Sequence, residues 1–262
     1  MNLGDRMKAY EVQTQVLLSQ KQDQCYVVRL DGKAFHSFTK QYNCSKPFDS
    51  ILCDAMVWTA VKLCETVQNC VIGYTQSDEI SLAWTLPTSE TQHWFGGKVS
   101  KIVSVSASYA TAFFNQCWGA SHTMWWPPAI FDSRVFEVPI ADVSNYFIWR
   151  VLDAKRNGIS ALAQANFPHK SLQNKSNSQM LKMLSDKGVK WEDLSSGQKF
   201  GFLVKKVQLP PSTLRIQQPM GGEEVVVIQR LEWQQTLASD DLTQLRAVVD
   251  KEVSSQTNCE NL

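Results

Sequence analysis

Asp31 closes the apolar run Tyr26-Val27-Val28-Arg29-Leu30 and is followed at once by Gly32, while Asp78 and Glu79 stand at a polar tip between Val71–Thr75 and Ile80–Leu86. Acids at the ends of distant strands become neighbours when those strands pair. Carboxylates converging there are what two divalent cations need to drive phosphoryl or nucleotidyl transfer. Mg2+ suits such a set, because it takes hard oxygen ligands, keeps several waters, and needs only one or two carboxylates plus substrate phosphates. Asp31 and Asp78 are the expected bridging ligands, with the Gly32 carbonyl as an unobstructed backbone oxygen. Glu79 alternates to the other side of its strand if Asp78 faces the site. It is expected to act either as a ligand through a distorted turn or as an anchor behind the metals. Taken singly, Asp-Gly and Ser-Asp are ordinary turn formers; their matching positions at one sheet edge favour the site.

A triphosphate also needs positive charge and amide donors. Backbone N–H groups from Gly32 to His36 are candidates for an anion-binding nest just after the acid. Lys33, His36, Lys46, Lys98 and Lys101 are the candidate side-chain partners. Lys98, which follows Gly96-Gly97 at a helix start, can hold phosphate at the helix dipole, although the Walker spacing is absent.

The elements that must position these residues read as follows. Met7, Tyr10, Val16 and Leu17 suggest a short N-terminal helix, and a strand spans Cys25–Leu30. Asp49 caps a helix with Leu52, Ala55, Met56, Thr59, Leu63 and Val67 at helical spacing. A hairpin of Val71–Thr75 and Glu79–Leu86 follows, then a helix from about Lys98 to Phe114 and a strand Arg134–Pro139. The order strand, helix, strand, strand, helix, strand is that of an α+β, ferredoxin-like βαββαβ fold, an antiparallel sheet with two helices on one face. Residues 1–140 form this palm-like unit. Residues 141–262 form an appended helical and β region, with helices over Asn145–Ala165 and Ser178–Leu184, strands over Phe200–Leu209 and Glu224–Trp233, and a turn at Gly221-Gly222.

Composition narrows the class. In 262 residues, 44% hydrophobic and 10% aromatic, a sizeable core is available. No apolar run approaches the roughly 20 residues that span a bilayer, and Met1–Met7 lacks the apolar core of a signal peptide, so no membrane partner and a soluble, cytoplasmic protein are expected. The seven cysteines (Cys25, Cys44, Cys53, Cys64, Cys70, Cys117, Cys259) are odd in number and show no C-x-x-C, which favours buried free thiols over disulfides or zinc. The net charge of +1 hides an asymmetry: Arg150, Lys155, Arg156, Lys170, Lys175, Lys182, Lys187 and Lys190 face only Asp153 and Asp186. Such a stretch is either a phosphate-backbone footprint or a solvated helix face. Trp125-Trp126 before two prolines reads as core or interface.

Several motifs together resemble the tRNA-histidine guanylyltransferase family. They are Leu3-Gly4-Asp5-Arg6-Met7-Lys8, Arg29-Leu30-Asp31-Gly32-Lys33-Ala34-Phe35-His36-Ser37-Phe38-Thr39, Lys46-Pro47-Phe48-Asp49, Gly73-Tyr74-Thr75-Gln76-Ser77-Asp78-Glu79, Phe95-Gly96-Gly97-Lys98 and Phe131-Asp132-Ser133-Arg134. The likeness continues through Asn145-Tyr146-Phe147, Trp149-Arg150 and Arg156-Asn157. It implies a polymerase-type palm that adds nucleotides in the 3′-to-5′ direction: a tRNA 5′ end, activated by ATP or already a triphosphate, is attacked by the 3′-hydroxyl of GTP. It also implies metal ligation by Asp31, Gly32 and Asp78 with two Mg2+ ions, and an essential role for Glu79. Nucleotide binding is implied for Asp31, Gly32, Lys33, Ala34, Phe35, His36, Ser77 and Asp78, and a homotetramer is expected. With the basic stretch, tRNA contacts are expected from Arg150, Lys155, Arg156, Asn157 and Lys175. Where eukaryotic members carry His-Ile-Asn-x-x-Tyr-Asn, this chain has Asp142-Val143-Ser144-Asn145-Tyr146-Phe147. That departure resembles the bacterial and archaeal branch, associated with templated 5′-end repair. Two other readings are a palm-domain nucleotidyl cyclase and a noncatalytic tRNA-binding protein. The first has no use for the basic helical region, and the second does not explain clustered carboxylates.

Overall fold

The computed structural model describes residues 2–12, 15–121, 127–206, 213–217, 223–227, 231–234 and 242–257. In chain order the elements are α1 (Leu3–Val12), β1 (Gln24–Gly32), α2 (Phe35–Gln41), α3 (Ser50–Thr66), β2 (Cys70–Gln76), β3 (Glu79–Thr85) and α4 (Val99–Ser121). After these come β4 (Phe131–Pro139), α5 (Val143–Asn166), α6 (His169–Leu172), α7 (Asn177–Asp186), α8 (Ser196–Phe200), β5 (Phe202–Lys206), β6 (Thr213–Gln217), β7 (Glu223–Val227), β8 (Leu231–Gln234) and α9 (Leu242–Thr257). The central sheet has six antiparallel strands in the order β4-β1-β3-β2-β5-β8, and β6 pairs with β7 separately.

Helix starts obey their local chemistry. The Asp49 carboxylate accepts the Leu52 N–H at the start of α3, as its position in the sequence indicates. Ser176 and Gln179 make a reciprocal capping box on α7, and Ser195 with Gln198 does the same for α8.

The sheet is covered on both faces, not one. Tyr26, Val28, Leu30, Leu82 and Trp84 pack with Met56, Leu63, Ile102 and Phe114 of α3 and α4. On the opposite face Cys25, Val27, Val71, Tyr74 and Ala83 pack with Val143, Phe147 and Val151 of α5 and Leu245, Val249 and Val253 of α9. This double covering explains why β1, β2 and β3 carry near-continuous apolar runs without alternation. It also assigns a role to segments beyond residue 140: α5 and α9 cover the second face, while β5 and β8 extend the sheet from β2.

Cys25, Cys64 and Cys70 are buried free thiols, and Cys44, Cys53 and Cys117 are half-buried; Cys259 lies outside the described residues. Burial pushes the Cys25 thiol up to about 12 and the Cys53 thiol up to about 11, so both stay protonated at neutral pH. Among the described residues no helix is long and apolar enough to cross a membrane. The sequence-predicted features at Gly221-Gly222 and Trp125-Trp126 also fall outside the described residues.

Candidate active site

β1 pairs with β3 so that Asp31 stands opposite Glu79, and with β4 so that Asp31 also stands opposite Asp132. Side chains alternate along each strand, so Asp132, Asp31 and Glu79 form one acidic row on the face covered by α5. The Gly32 N–H donates to the Asp78 carbonyl at 2.9 Å, which binds the end of β1 to the β2–β3 turn. Asp31 and Asp78, far apart in sequence, therefore meet at one sheet edge.

The turn is a two-residue hairpin in which Ser77 adopts φ 52°, the positive value that a short hairpin demands at a central position. The Ser77 hydroxyl donates to Asp78 Oδ1 at 3.0 Å, and the Thr75 hydroxyl donates to the Glu79 carbonyl at 2.9 Å. Burial raises the Asp78 carboxyl above the usual range; the Ser77 hydrogen bond opposes this, and the nearby Asp31 charge adds to it. A half-buried acid beside a second acid lacks positive charge, and a cation would supply it. Among the described residues no group of three or more His, Cys, Asp or Glu side chains converges as a metal cage. Two carboxylates and a carbonyl remain. They fit a hard cation that completes its shell with water and phosphate oxygens.

Gly32 has a packing reason as well as an electronic one. A Cβ there would lie 2.3 Å from the Phe35 ring, which is itself seated 5.4 Å from Phe114 and 5.2 Å from Phe131. Gly32→Ala should therefore cost about 1–3 kcal/mol of stability, read as a lower Tm; an unchanged Tm would mean that Phe35 moves aside freely. The Phe35 side chain belongs to the core, so only its backbone faces the loop. Ala34 sits in the left-handed region at φ 56° and starts α2. The Gly32 and Lys33 N–H groups are taken by the carbonyls of Asp78 and Ile130, which narrows the expected nest to the amides from Ala34 to His36. The side chains of Lys33, His36 and Lys46 are exposed at this end of the sheet.

Lys98 and Lys101 are not brought there. β3 starts at Glu79 and runs away from the acids, so the chain after it emerges at the far end. Lys98 pairs with Leu17 at that end, near His93, whose ring lies 4.3 Å from Tyr26. Along α4 it is Thr111 that reaches the acidic end, where its hydroxyl accepts from Phe131 N–H. At about 1.5 Å per residue, Lys98 is roughly 20 Å and Lys101 roughly 15 Å short of that point.

Glu79 is 5% exposed and points toward α5, not toward Asp78. Arg29 Nη2 donates to its Oε2 at 2.6 Å, and Arg150 Nε lies 2.8 Å from its Oε1 as an ion pair without hydrogen-bond alignment. Burial raises the Glu79 carboxyl, while Arg150 and then Arg29 pull it back down. The Glu79 carboxylate is thus engaged by two arginines on the side of the sheet that α5 covers. Arg150, expected on tRNA, is corrected: it is 2% exposed, locked between Glu79 and Asp153, whose Oδ2 accepts from its Nη2 at 2.6 Å. Asp153 also accepts from Arg156 and from Asn157, both on the exposed side of α5. Lys155 is half-buried and Lys175 exposed.

Sequence reasoning passed over Arg29, Asp132 and Tyr146. Arg29 had a visible signal, as the one charged side chain inside an apolar strand. Tyr146 shares a 2.8 Å hydrogen bond with Ser81, which stands opposite Arg29.

Paired carboxylates at the ends of two neighbouring antiparallel strands, next to a loop with free amides, suit metal-dependent chemistry on a nucleoside triphosphate. The family model for tRNAHis guanylyltransferase matches residues 4–139, and the chain belongs to that family. It is 35% identical to a bacterial tRNA(His) guanylyltransferase-like protein solved in complex with ATP, with a TM-score of 0.78 over 96% of this chain and 99% of that one. The same kind of protein in complex with GTP gives 34% identity and a TM-score of 0.72 over 96% and 98%. An uncharacterized protein of Acanthamoeba polyphaga mimivirus is 29% identical over 78% of this chain and 77% of its own length. The probable tRNA(His) guanylyltransferase of Homo sapiens is 33% identical over 51% of this chain, which spans only 44% of that relative.

Proposed function

We propose that this protein is a Mg2+-dependent 3′-to-5′ nucleotidyltransferase that adds GTP, or a template-matched nucleotide, to the 5′ end of tRNA. The meeting of Asp31 and Asp78 at one edge, fastened by the Gly32–Asp78 backbone bond, carries the reading. Similarity to proteins solved with ATP and with GTP supports both nucleotides as substrates. The strand order β4-β1-β3-β2 with α3 and α4 on one face supports a ferredoxin-like palm.

Two Mg2+ ions held by Asp31, Asp78 and the Gly32 carbonyl would activate the attacking 3′-hydroxyl and stabilise the leaving phosphate. Lys33, His36 and Lys46, with the amides from Ala34 to His36, neutralise triphosphate charge at the same end. Glu79, pinned by Arg29 and Arg150, holds the row in which Asp31 stands. Lys155, Arg156, Asn157 and Lys175 contribute contacts to the acceptor stem, which position the RNA without reading its sequence. The exposed Leu3, Met7, Tyr10 and Val12 of α1 offer apolar surface for a homotetramer. Buried unpaired thiols are in keeping with the cytoplasm.

Labelled GTP and a tRNA lacking its first 5′ nucleotide test the reading. Mg2+-dependent label at the RNA 5′ end is expected, with addition favoured opposite a matching template base. Cyclic nucleotide formed without RNA, or tRNA binding with no nucleotide consumed, would overturn it.

A further inference from the structure

Trp149 has no part in the site as built so far. It lies on α5, where the indole is 51% exposed although Phe147, Arg150 and Val151 beside it are buried. The Arg150 guanidinium covers one side of the ring at 4.2 Å from its centroid, and Arg150 Nε is 2.8 Å from Glu79. Tyr146, one turn earlier, touches Trp149 at 6.0 Å and Phe136 of β4 at 5.6 Å, and it bonds to Ser81 of β3. Ser81 and Arg29 form the sheet row next to Asp31 and Glu79. From Tyr146 to Trp149 the helix advances about 4.5 Å, toward the acidic end where Arg150 meets Glu79. The exposed indole is therefore held at the level of the acidic row, two side-chain contacts from Glu79, the cross-strand partner of Asp31.

An indole backed by a guanidinium is a rigid platform for a flat ring. Unpaired bases stack on such surfaces whatever their identity, because every base presents a π-face. Polar groups that suit a nucleotide lie nearby: the side chain of Arg156, two turns on, is 67% exposed although Asp153 pairs with it, and Asn157 follows it. Leu152, one turn on, is 47% exposed, so the same face also carries apolar surface, and the oligomeric-state arm of the test below decides whether a second copy covers it. We propose that Trp149 stacks a nucleobase beside the acidic edge. This rests on the proposed nucleotidyl transfer only for the source of the base, which is either the terminal base of the RNA 5′ end or the base of the incoming nucleoside triphosphate. Arg150 then ties the platform to Glu79, so the base and the acids share one rigid support.

The test compares the full chain carrying Trp149→Ala or Trp149→Phe with wild type. Direct binding is measured for a tRNA lacking its first nucleotide, for the same RNA with an abasic 5′-terminal residue, for GTP and for ribose 5-triphosphate. Trp149→Ala should weaken binding of one base-bearing ligand about 5- to 100-fold, and Trp149→Phe should restore most of it. The abasic RNA or the base-less triphosphate should bind wild type and Trp149→Ala equally. Loss confined to RNA assigns the RNA base; loss confined to GTP assigns the nucleotide. Equal weakening of ligands with and without a base would overturn the proposal, since a displaced Arg150 alone would do that. A change in oligomeric state by sedimentation with unchanged binding would overturn it too, making Trp149 an interface residue. Binding is read without turnover, so a protein that stacks a base yet consumes no nucleotide would sink the proposed activity and leave the platform standing.

Discussion

Asp31→Ala and Asp78→Ala should each lower nucleotide addition to a 5′-truncated tRNA by about 10³-fold or more while leaving the chain folded. The magnitude follows from losing one of two carboxylates that would hold cations worth several kcal/mol of charge stabilisation; about 4 kcal/mol is 10³-fold. The fold should persist because neither residue is part of the core, and Asp78 is relieved of an acid that burial and Asp31 both disfavour. The assay is single-turnover addition of labelled GTP at saturating Mg2+, with the melting temperature as control. Turnover within tenfold of wild type in either variant would remove the metal assignment.

Arg150→Met should destabilise the protein by about 3–5 kcal/mol, the cost of removing one partner from a buried ion pair, and turnover should fall with it. Adding Glu79→Gln should recover part of the stability, since the uncompensated Glu79 carboxylate is then gone while Arg29 loses its partner and Asp153 keeps its charge. The pH dependence separates electrostatics from packing. Glu79 already sits above its ordinary value because of burial, and Arg150 is the larger of the two charges pulling it down. Without Arg150 its carboxyl rises further. A group raised in the folded state contributes most at low pH, where it is protonated, and that contribution is lost as pH rises through the folded value. The deficit of Arg150→Met should accordingly be small in acid and grow from the ordinary carboxylate range toward neutrality. Urea unfolding at several pH values reads this; a deficit constant with pH would reduce Arg150 to a packing role.

The acids were legible because the ends of strands are legible. Asp31 interrupts an apolar run, Asp78 interrupts another, and the order of elements makes them neighbours. Asp49 was legible for a similar reason, as a lone acid before helical periodicity. Arg150 was misread from charge alone. Its place three residues after Phe147 and four before Ala154 puts it on the apolar stripe of α5, where a charge must find a buried partner. Lys98 is grouped with the acids because helix starts attract phosphate, and Lys101 as a further nearby cation, but the direction of β3 carries the start of α4 to the far end. The short α2 and the late α9 left weaker traces: α2 is only seven residues long, and α9 reveals its apolar face only against a sheet whose second side needs cover.

That second side has a consequence for how the chain can be divided. The family match ends at residue 139, just where the strands that carry the acids are complete. Yet Cys25, Val27 and Ala83 are fully buried beneath helices encoded after that point, and the arginine that pins Glu79 comes from one of them. Cut at residue 139, the segment that the family model matches would leave one apolar face of its sheet uncovered and Glu79 without Arg150. A recombination event joining it to a foreign C-terminal half would have to supply, at once, an apolar lid of the same footprint and a cation at one fixed position.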